Sequence, residues 1–447
     1  MHMLDWQKEY REKLKTPEEA VRLVKSGDWV DYSQACSFPQ LLDKALAERA
    51  AELYDIKLRN AISMLPVQTV EKDAFSAFIY NVWHCSALDR KYLDAGKAFF
   101  TPMLFRHCAL YYTKGFAPVD VAMITVAPMD ENGDFSFGLT NCCTYEVLRA
   151  AKRIILEVNP SMPAIAGTEH DRISIRDVDA VVESNLSLPV VPPPHATELD
   201  RQIAEHIFPF ITDGCCLQLG IGGIPNSIGS LIAASDIKDL GMHTELMSDG
   251  YLDLYKAGKI TNRRKTLNTG KGIFSICNGS RELYDFLDHN PDILSAPMSY
   301  VNSSDVIRQL DDFVSINGCL AVDLYGQVSS ESAGTRQISG TGGQVDFITG
   351  AMEAEHGRAF LAMHSTFTDR SGIPHSNIIP KFTAGDIITT PRALAPCIAT
   401  EYGVAALAGK PTWQRAEALI DIAHPDFREE LIHAAEEQKI WRRSNKR

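Results

Sequence analysis

Two groups of apolar positions near the N-terminus flank a short apolar stretch. Apolar residues within 20–24 and again within 41–46 recur three and four positions apart, which is the spacing of one helix face. Between them, Ser-Gly-Asp at 26–28 leads into the apolar residues 29–32, and a loop that contains Pro39 follows. The pattern therefore predicts a helix, a strand, a loop and a second helix, in this order.

The same order of elements returns in the second half of the chain. Helical spacing over 203–211 is followed by an apolar run at 215–219, a glycine-rich loop and helical spacing over 228–232. The spacing from the glycine before the strand to the proline after it is 12 residues in the first copy and 11 in the second. We therefore predict a weak internal repeat of two α/β halves.

Three further apolar runs indicate strands that are buried on both faces. They lie at 119–126, 153–158 and 313–320, and helix patterns separate them. Strands that alternate with helices form open, largely parallel sheets, which bind ligands at the carboxyl ends of the strands. The predicted fold class is therefore α/β, with two tandem open-sheet domains.

A proline-rich segment divides the chain. Residues 188–195 contain four prolines, which cannot continue a helix or a central strand and are typical of a stiff connector. We predict an N-terminal α/β domain over 1–189, a Pro-rich linker over 190–198 and a C-terminal α/β domain over 199–447.

Composition narrows the class of protein. The chain has 447 residues, 45% of them hydrophobic and 23% charged, which is typical of a folded globular protein. Its net charge of −13 argues against nucleic acid or an anionic membrane as the main partner. The first residues lack the apolar segment of a signal peptide, and no apolar run reaches the ~20 residues of a membrane span. We expect a cytoplasmic protein.

The ten cysteines form neither a disulfide framework nor a recognisable metal motif. Two pairs are adjacent in sequence, and no C-x-x-C spacing occurs. We expect buried, reduced thiols and no metal.

A first candidate loop follows the apolar run at 215–219. It has glycines at 220, 222 and 223, which allow a ligand to approach the backbone closely. Pro225 occupies the third glycine position of the dinucleotide fingerprint, which argues against a nicotinamide cofactor. The free amides at a helix start suit a phosphate, an oxyanion or a pantetheine arm, although a turn needed only for packing remains an alternative.

Two other segments are candidates. The loop at 337–347 has glycines at 340, 342 and 343 after a probable strand, and it is either a simple turn or a second ligand loop that converges with the first. The segment 241–250 predicts a short strand that carries Glu245 near its end, where α/β enzymes place reactive groups. A solvated edge charge is the alternative for Glu245, and also for His243 and Asp249.

Nine motifs together resemble the acetyl-CoA hydrolase/transferase family, and within it the branch of butyryl-CoA:acetate and 4-hydroxybutyrate CoA-transferases. They are GDWVDY at 27–32, VAPMDENGDFSFG at 126–138, LEVNPSMP at 156–163, LQLGIGGIPN at 217–226, HTELMSDG at 243–250, DLYGQVSSESAGTRQISGTGGQVDF at 323–347, TEYG at 400–403, IAHPDFREEL at 422–431 and IWRRSN at 440–445. The resemblance covers nearly the whole chain. It implies two NagB/RpiA-like CoA-transferase domains with the active site between them, in a homo-oligomer.

The resemblance also implies the roles of individual residues. Glu245 would be the nucleophile that forms a glutamyl-CoA thioester, with Asn302 as its polar partner and Gly343 as a backbone oxyanion donor that also contacts CoA. The other CoA-contacting residues would be Gly220, Ile221, Gly222, Gly223, Ile224 and Leu320. A basic run could hold the CoA phosphates or lie on the solvated surface; it comprises Lys256, Lys259, Arg263, Arg264, Lys265 and Lys271.

The expected activity is ping-pong transfer of CoA between butyryl-CoA and acetate. Coenzyme A would be a substrate and part of a covalent intermediate, with no permanently bound cofactor. The alternatives are transfer to 4-hydroxybutyrate or another short-chain acid, acyl-CoA hydrolysis and, in another class, a non-catalytic metabolite-binding module.

Overall fold

A computed structural model describes residues 6–192 and 195–441. Pro193 and Pro194 of the predicted linker, residues 1–5, and residues 442–445 of the IWRRSN motif lie outside the described residues. The chain forms two compact units. The first comprises the described residues of Met1–Pro192 with Glu245–Met247 and Gly272–Asn302, and the second comprises those of Pro193–Thr244, Ser248–Lys271 and Ser303–Arg447.

The strands are numbered in chain order. They are β1 Trp29–Gln34, β2 Ile56–Ala61, β3 Phe78–Val82, β4 Ala98–Phe100, β5 Val119–Val126, β6 Asp134–Ser136, β7 Ala151–Val158, β8 Arg172–Ser174, β9 Ala180–Glu183, β10 Cys216–Leu219, β11 Gly241–Met247, β12 Gly272–Cys277, β13 Ile293–Ser295, β14 Phe313–Gly318, β15 Ala321–Asp323, β16 Val328–Ser329, β17 Ser332–Ala333, β18 Arg336–Gln337, β19 Arg358–Ala362, β20 Thr366–Thr368, β21 Pro374–Ser376, β22 Ile378–Ile379, β23 Cys397–Thr400 and β24 Gly403–Ala406.

The α-helices are numbered in the same way. They are α1 Trp6–Lys13, α2 Pro17–Ala20, α3 Gln40–Ala47, α4 Gln68–Glu71, α5 Ala87–Asp94, α6 Cys108–Thr113, α7 Thr144–Ala150, α8 Glu198–Ile207, α9 Gly223–Ala234, α10 Asp249–Lys256, α11 Arg281–Leu287, α12 Met298–Val301, α13 Ser304–Ile307, α14 Gln344–Glu353, α15 Thr412–Asp421 and α16 Pro425–Glu437. Among the helices of the described residues, none is long and apolar enough to cross a membrane.

The first unit is built on a parallel sheet of seven strands in the order β4-β3-β2-β1-β5-β7-β9. Strand β5 has the same limits as the apolar run at 119–126. Its Ala122 and Ile124 belong to one buried cluster, whereas Val121 and Met123 belong to another. Because alternate residues of a strand point to opposite faces, both faces of this sheet are covered, as the apolar run predicts.

In the second unit the strand order is β11-β10-β14-β19-β23-β24, with all pairs parallel except the last. The order β11-β10-β14-β19 repeats the order β2-β1-β5-β7 of the first unit. In each unit the first of these strands in the chain is followed by a helix, α3 after β1 and α9 after β10. The predicted α/β class with two open, largely parallel sheets is confirmed.

The cysteine prediction was partly wrong. Cys108 and Cys143 form a disulfide, with their Cα atoms 6.1 Å apart, although they are 35 residues apart in sequence. Cys142 is a third buried cysteine of this group, with its Sγ 3.7 Å from that of Cys143. The start of α6 and the residue before α7 come together through the fold, which no spacing rule for cysteines could indicate.

Candidate active site

Glu245 and Asn302 meet in the first unit. Glu245 is the fifth residue of β11 and is half-buried, and Asn302 follows the last residue of α12 and is fully buried. The Asn302 Nδ2 donates a hydrogen bond to Glu245 Oε2 over 2.5 Å. A hydrogen bond from a neutral amide to a carboxylate is charge-assisted, so it holds one carboxylate oxygen in a defined direction.

The backbone around these residues fixes the Asn302 side chain. The Asn302 N–H donates to Met298 O, and the Met298 N–H donates to Cys142 O over 2.7 Å. Cys142 also forms a parallel bridge with Pro297. The amide of Asn302 is therefore held through the last turn of α12 by the loop that carries Cys142. Its Oδ1 is a buried acceptor without a hydrogen-bond partner in the described part of the chain.

Cys142 is a buried cysteine in this loop. Burial raises its pKa well above the ordinary value, the Cys143 backbone opposes this, and the charge of Glu245 adds to the increase. Since the thiolate is the nucleophilic form of cysteine, Cys142 is held as an unreactive thiol at neutral pH.

His243 is completely buried, so the interpretation as a solvated edge residue was wrong for it. Its apolar surroundings include the Phe313 ring, whose centroid is 6.2 Å from that of the imidazole. Periodicity did not reveal this, because a short strand with neighbours on both sides buries polar residues as well as apolar ones.

The first glycine loop joins β10 to α9 in the second unit. Gly222 has a φ of 129°, a left-handed conformation that only glycine adopts readily. The Gly220 N–H donates to Ile316 O over 2.8 Å, which ties the loop to the end of β14. The loop borders a cavity that is open to solvent. The lining residues are Asp200, Ile221, Gly222, Gly223, Ile224, Pro225, Ile316, Asn317, Gly318 and Ala362.

Asp200 is a lining residue that the sequence analysis missed. A Cβ added to Gly223 would overlap its carboxylate, so glycine is required where α9 begins. Asp200 accepts hydrogen bonds from the Thr197 backbone N–H and from His364 Nε2, the latter over 2.9 Å. Burial acts to raise the pKa of Asp200, but these hydrogen bonds outweigh it and lower the pKa. The capping-box pattern Thr-x-x-Asp at 197–200 was the available signal.

The second glycine loop follows a short strand, β18, as predicted. This strand belongs to no main sheet and forms a two-stranded antiparallel ribbon with β17. The ribbon belongs to an excursion between β14 and α14. Gly342 has a left-handed φ of 56°, and Gly343 is the residue that precedes α14. A backbone N–H at this position has no partner within the helix, so it is suited to bind an oxyanion.

Other predicted residues lie apart from the cavity. Gly220, Leu320 and Gly343 are not among its lining residues. Leu320 is partly exposed, and its N–H donates to Ser329 O.

The basic run is largely engaged with the protein itself. Arg263 donates to Asp239 over 2.6 Å, and Lys259 donates to Ser235 O. Lys265 is buried, and its Nζ donates to two backbone carbonyls, so the surface interpretation was wrong for this residue. Burial lowers the pKa of Lys265 to about 8.

Among the described residues, Cys108, Cys142 and Cys143 form a group that could hold a metal ion. Two of the three sulfurs are already joined in a disulfide, so they are not available as thiolate ligands.

The chain is similar to a known pair of protein domains and to individual proteins along its length. Residues 1–192 match the acetyl-CoA hydrolase/transferase N-terminal domain, and residues 279–435 match the C-terminal domain of the same name. The chain is 45% identical to the butyryl-CoA:acetate CoA-transferase of Anaerostipes caccae, over 99% of this chain and 100% of the relative. It is 38% identical to the 4-hydroxybutyrate coenzyme A transferase of Clostridium kluyveri, over 96% and 99% of the two chains.

Solved structures agree with these matches. The structure of RipA from Yersinia pestis has a TM-score of 0.88 and 34% identity, and the alignment covers 98% of this chain and 100% of that one. The structure of 4-hydroxybutyrate CoA-transferase from Porphyromonas gingivalis has a TM-score of 0.79 and 32% identity, over 97% and 100% of the two chains.

Proposed function

The chain belongs to the acetyl-CoA hydrolase/transferase family, and we propose that it transfers CoA between butyryl-CoA and acetate. The substrates are those in the name of the Anaerostipes caccae relative, with which it shares 45% identity along its full length. The observation that carries the mechanism is the Glu245 carboxylate, which the Asn302 amide holds at one oxygen.

The reaction begins at the Glu245 carboxylate, which the Asn302 amide orients through Oε2. The carboxylate attacks the thioester carbonyl of butyryl-CoA, and the C–S bond breaks to release CoA thiolate. The product is an anhydride between Glu245 and butyrate. The thiolate then attacks the Glu245 carbonyl carbon, the anhydride C–O bond breaks, and butyrate leaves. Glu245 is now joined to CoA as a thioester.

Acetate reverses these steps. Its carboxylate attacks the glutamyl thioester and expels CoA thiolate, which then attacks the acetyl carbon of the new anhydride. Acetyl-CoA leaves and the Glu245 carboxylate is regenerated, so no proton, electron or metal is consumed. The covalent intermediate makes the kinetics ping-pong.

Each attack places negative charge on a carbonyl oxygen, which requires aimed donors. We assign this role to the Gly343 N–H at the start of α14 and to the Asn302 amide. The segment Gly220–Ile224, which borders the cavity with four of its five residues, is proposed to contact CoA, with Leu320 and Gly343 as additional contacts. The sequence segment 199–447, predicted as the C-terminal domain, would thus supply both glycine loops and the nucleophile, although Glu245 itself packs within the first unit.

The decisive experiment traps the glutamyl thioester. The protein is incubated with butyryl-CoA without acetate and then treated with borohydride, which reduces a thioester to an alcohol. We expect irreversible loss of activity and a peptide of altered mass that contains residue 245. Glu245→Ala should be inactive and unlabelled, while a control at the exposed Glu353, Glu353→Gln, should behave as wild type. A fully active Glu245→Ala would contradict the mechanism.

Acetate dependence separates transfer from hydrolysis. A transferase consumes one acetate for each butyryl-CoA, whereas a hydrolase releases free CoA thiol without acetate. A panel of acids that includes 4-hydroxybutyrate, the substrate in the name of the Clostridium kluyveri relative, tests which acceptor is preferred. We further propose a cytoplasmic homo-oligomer, to be tested by cell fractionation and light scattering.

A further inference from the structure

Glu331 is a buried carboxylate that the proposed mechanism does not use. It lies in the second unit, immediately before β17, and is 4% exposed. Both of its oxygens accept from the Thr341 hydroxyl over 3.3 Å, and Oε1 also accepts from the Thr389 hydroxyl over 3.0 Å. The Gln337 side-chain amide lies 3.4 Å from Oε2. Burying a carboxylate is costly unless hydrogen bonds compensate, and here the donors are mainly hydroxyl groups.

The contacts of Glu331 surround the second glycine loop. Its backbone carbonyl accepts from the N–H groups of Ile338, over 2.7 Å, and Ser339, over 3.1 Å, where the loop begins. Its side chain holds Thr341, the residue before Gly342 and Gly343. One residue therefore binds the loop at its start and again directly before the two glycines.

A further hydrogen bond holds the loop on the side that follows the glycines. The Gln344 Nε2 donates to the Thr390 hydroxyl over 2.9 Å, and Thr389 donates to Glu331. The glycines therefore lie between two anchored side chains, Thr341 on Glu331 and Gln344 on Thr390.

Glycines make a loop flexible, whereas an oxyanion donor lowers an activation barrier only when its N–H is already aimed. We propose that Glu331 is a positioning residue: through Thr341 it holds the glycine loop so that the Gly343 N–H points at the developing oxyanion. This inference rests on the proposed transferase function. It assigns no contact between Glu331 and substrate.

The test compares two threonines that contact the same carboxylate. Thr341→Val removes the anchor on the loop, and Thr389→Val removes a donor that lies outside the loop. We expect Thr341→Val and Glu331→Ala to lower kcat by about 30-fold, with KM for butyryl-CoA changed by less than about 3-fold, because only the transition state loses an aimed donor. Thr389→Val should retain kcat within about 3-fold, and Glu331→Gln, which keeps one acceptor oxygen, should recover most of the loss.

A purely structural role gives a different result. In that case Thr341→Val and Thr389→Val would lower thermal stability alike and leave kcat of the folded enzyme alike, which would overturn the proposal. If Glu331→Ala does not fold, the two threonine variants still decide. The proposed function would be refuted if the wild-type protein showed no transferase activity and gave no borohydride-trapped adduct. An active wild type together with a fully active Thr341→Val would refute only the role of Glu331.

Discussion

The two units share a strand order but differ at the equivalent connection after β1 and β10. After β1, helix α3 begins at Gln40, and Oε2 of the buried Glu157 accepts hydrogen bonds from the N–H groups of Leu41 and Leu42. After β10, helix α9 begins at Gly223 and borders the open cavity. The first N–H groups of a helix lack partners within the helix in both cases. In the first unit the Glu157 carboxyl group accepts from them, and in the second the helix start borders the cavity.

The two connections also differ in which residues adopt left-handed conformations and in how far their side chains are exposed. The first has two buried residues in left-handed conformations, Ser33 near the end of β1 with a φ of 57° and Ala35 directly after β1 with a φ of 49°. The second uses Gly222 for its left-handed residue and leaves Ile221 68% exposed. Repeating a supersecondary unit thus preserves its topology, while the residues at the strand end decide whether the site is filled or open.

The largest expected effect on activity comes from adding a side chain at Gly223, in the connection between β10 and α9. Gly223→Ala places a Cβ on the Asp200 carboxylate, so the start of α9 or the cap of α8 must shift. We expect kcat/KM for butyryl-CoA to fall by about 1,000-fold, or about 4 kcal/mol. Gly229→Ala is the matched control in the same helix, because the nearest atom to its added Cβ is 3.9 Å away. Equal activity of the two variants would remove the distinction between the connections.

The next largest effect, on stability, comes from the Cys108–Cys143 disulfide, which lies beside the connection between β1 and α3. The Gln34 amide contacts both sulfurs of the Cys108–Cys143 disulfide at 3.7 Å, at the end of β1. Reduction should lower the free energy of unfolding by about 3 kcal/mol, the typical contribution of a disulfide. Guanidinium unfolding with and without reductant measures this. The double variant Cys108→Ser, Cys143→Ser should show no response to reductant, and an unchanged wild-type midpoint would contradict the prediction.

Glu157 should make the stability of the first unit depend on pH. Burial raises its pKa from 4.5 to about 7, against the hydrogen bonds from Leu42 and Leu41 and from Ser184. A carboxyl group whose pKa rises on folding binds protons more tightly in the folded state. Its stabilising contribution is therefore complete below pH 4.5 and is lost as the pH rises through about 7.

Glu157→Gln tests this dependence. Between about pH 5 and about pH 8, wild type should lose on the order of 2 kcal/mol relative to the glutamine variant, since each unit of pKa shift corresponds to 1.36 kcal/mol. Chemical denaturation at both pH values gives the difference. Parallel pH profiles for the two proteins would contradict the prediction, because they would show that folding does not raise the pKa of Glu157.

The smallest expected effect comes from relieving backbone strain at Ala35, in the connection between β1 and α3. Ala35→Gly removes a side chain from a left-handed residue and should stabilise the first unit by up to about 1 kcal/mol, because the strain relieved exceeds the entropy cost of glycine. The control Ala45→Gly, in the middle of α3, should destabilise by a similar amount. A destabilised Ala35→Gly would mean that the buried methyl contributes more by packing than the backbone gains.

Part of the site was predictable because it depends on local pattern. The first glycine loop lies between a strand and a helix as expected, and β5 has the limits of its apolar run. The contact between Asn302 and Glu245 could be predicted only from the family resemblance, because the two residues are 57 positions apart in sequence. The hydrogen bonds of Glu331 to Thr341 and Thr389, and of Glu157 to α3, had no signal in spacing.

The sequence alone determined the α/β class, the repeated order of elements and the loops rich in glycine, because periodicity and glycine content reflect the local geometry of the backbone. The tertiary structure decided which groups meet across long separations: Cys108 with Cys143, Glu157 with the start of α3, and Asp200 with Gly223. Such contacts depend on which strands and helices are neighbours, and a pattern with a period of two to four residues carries no record of that choice.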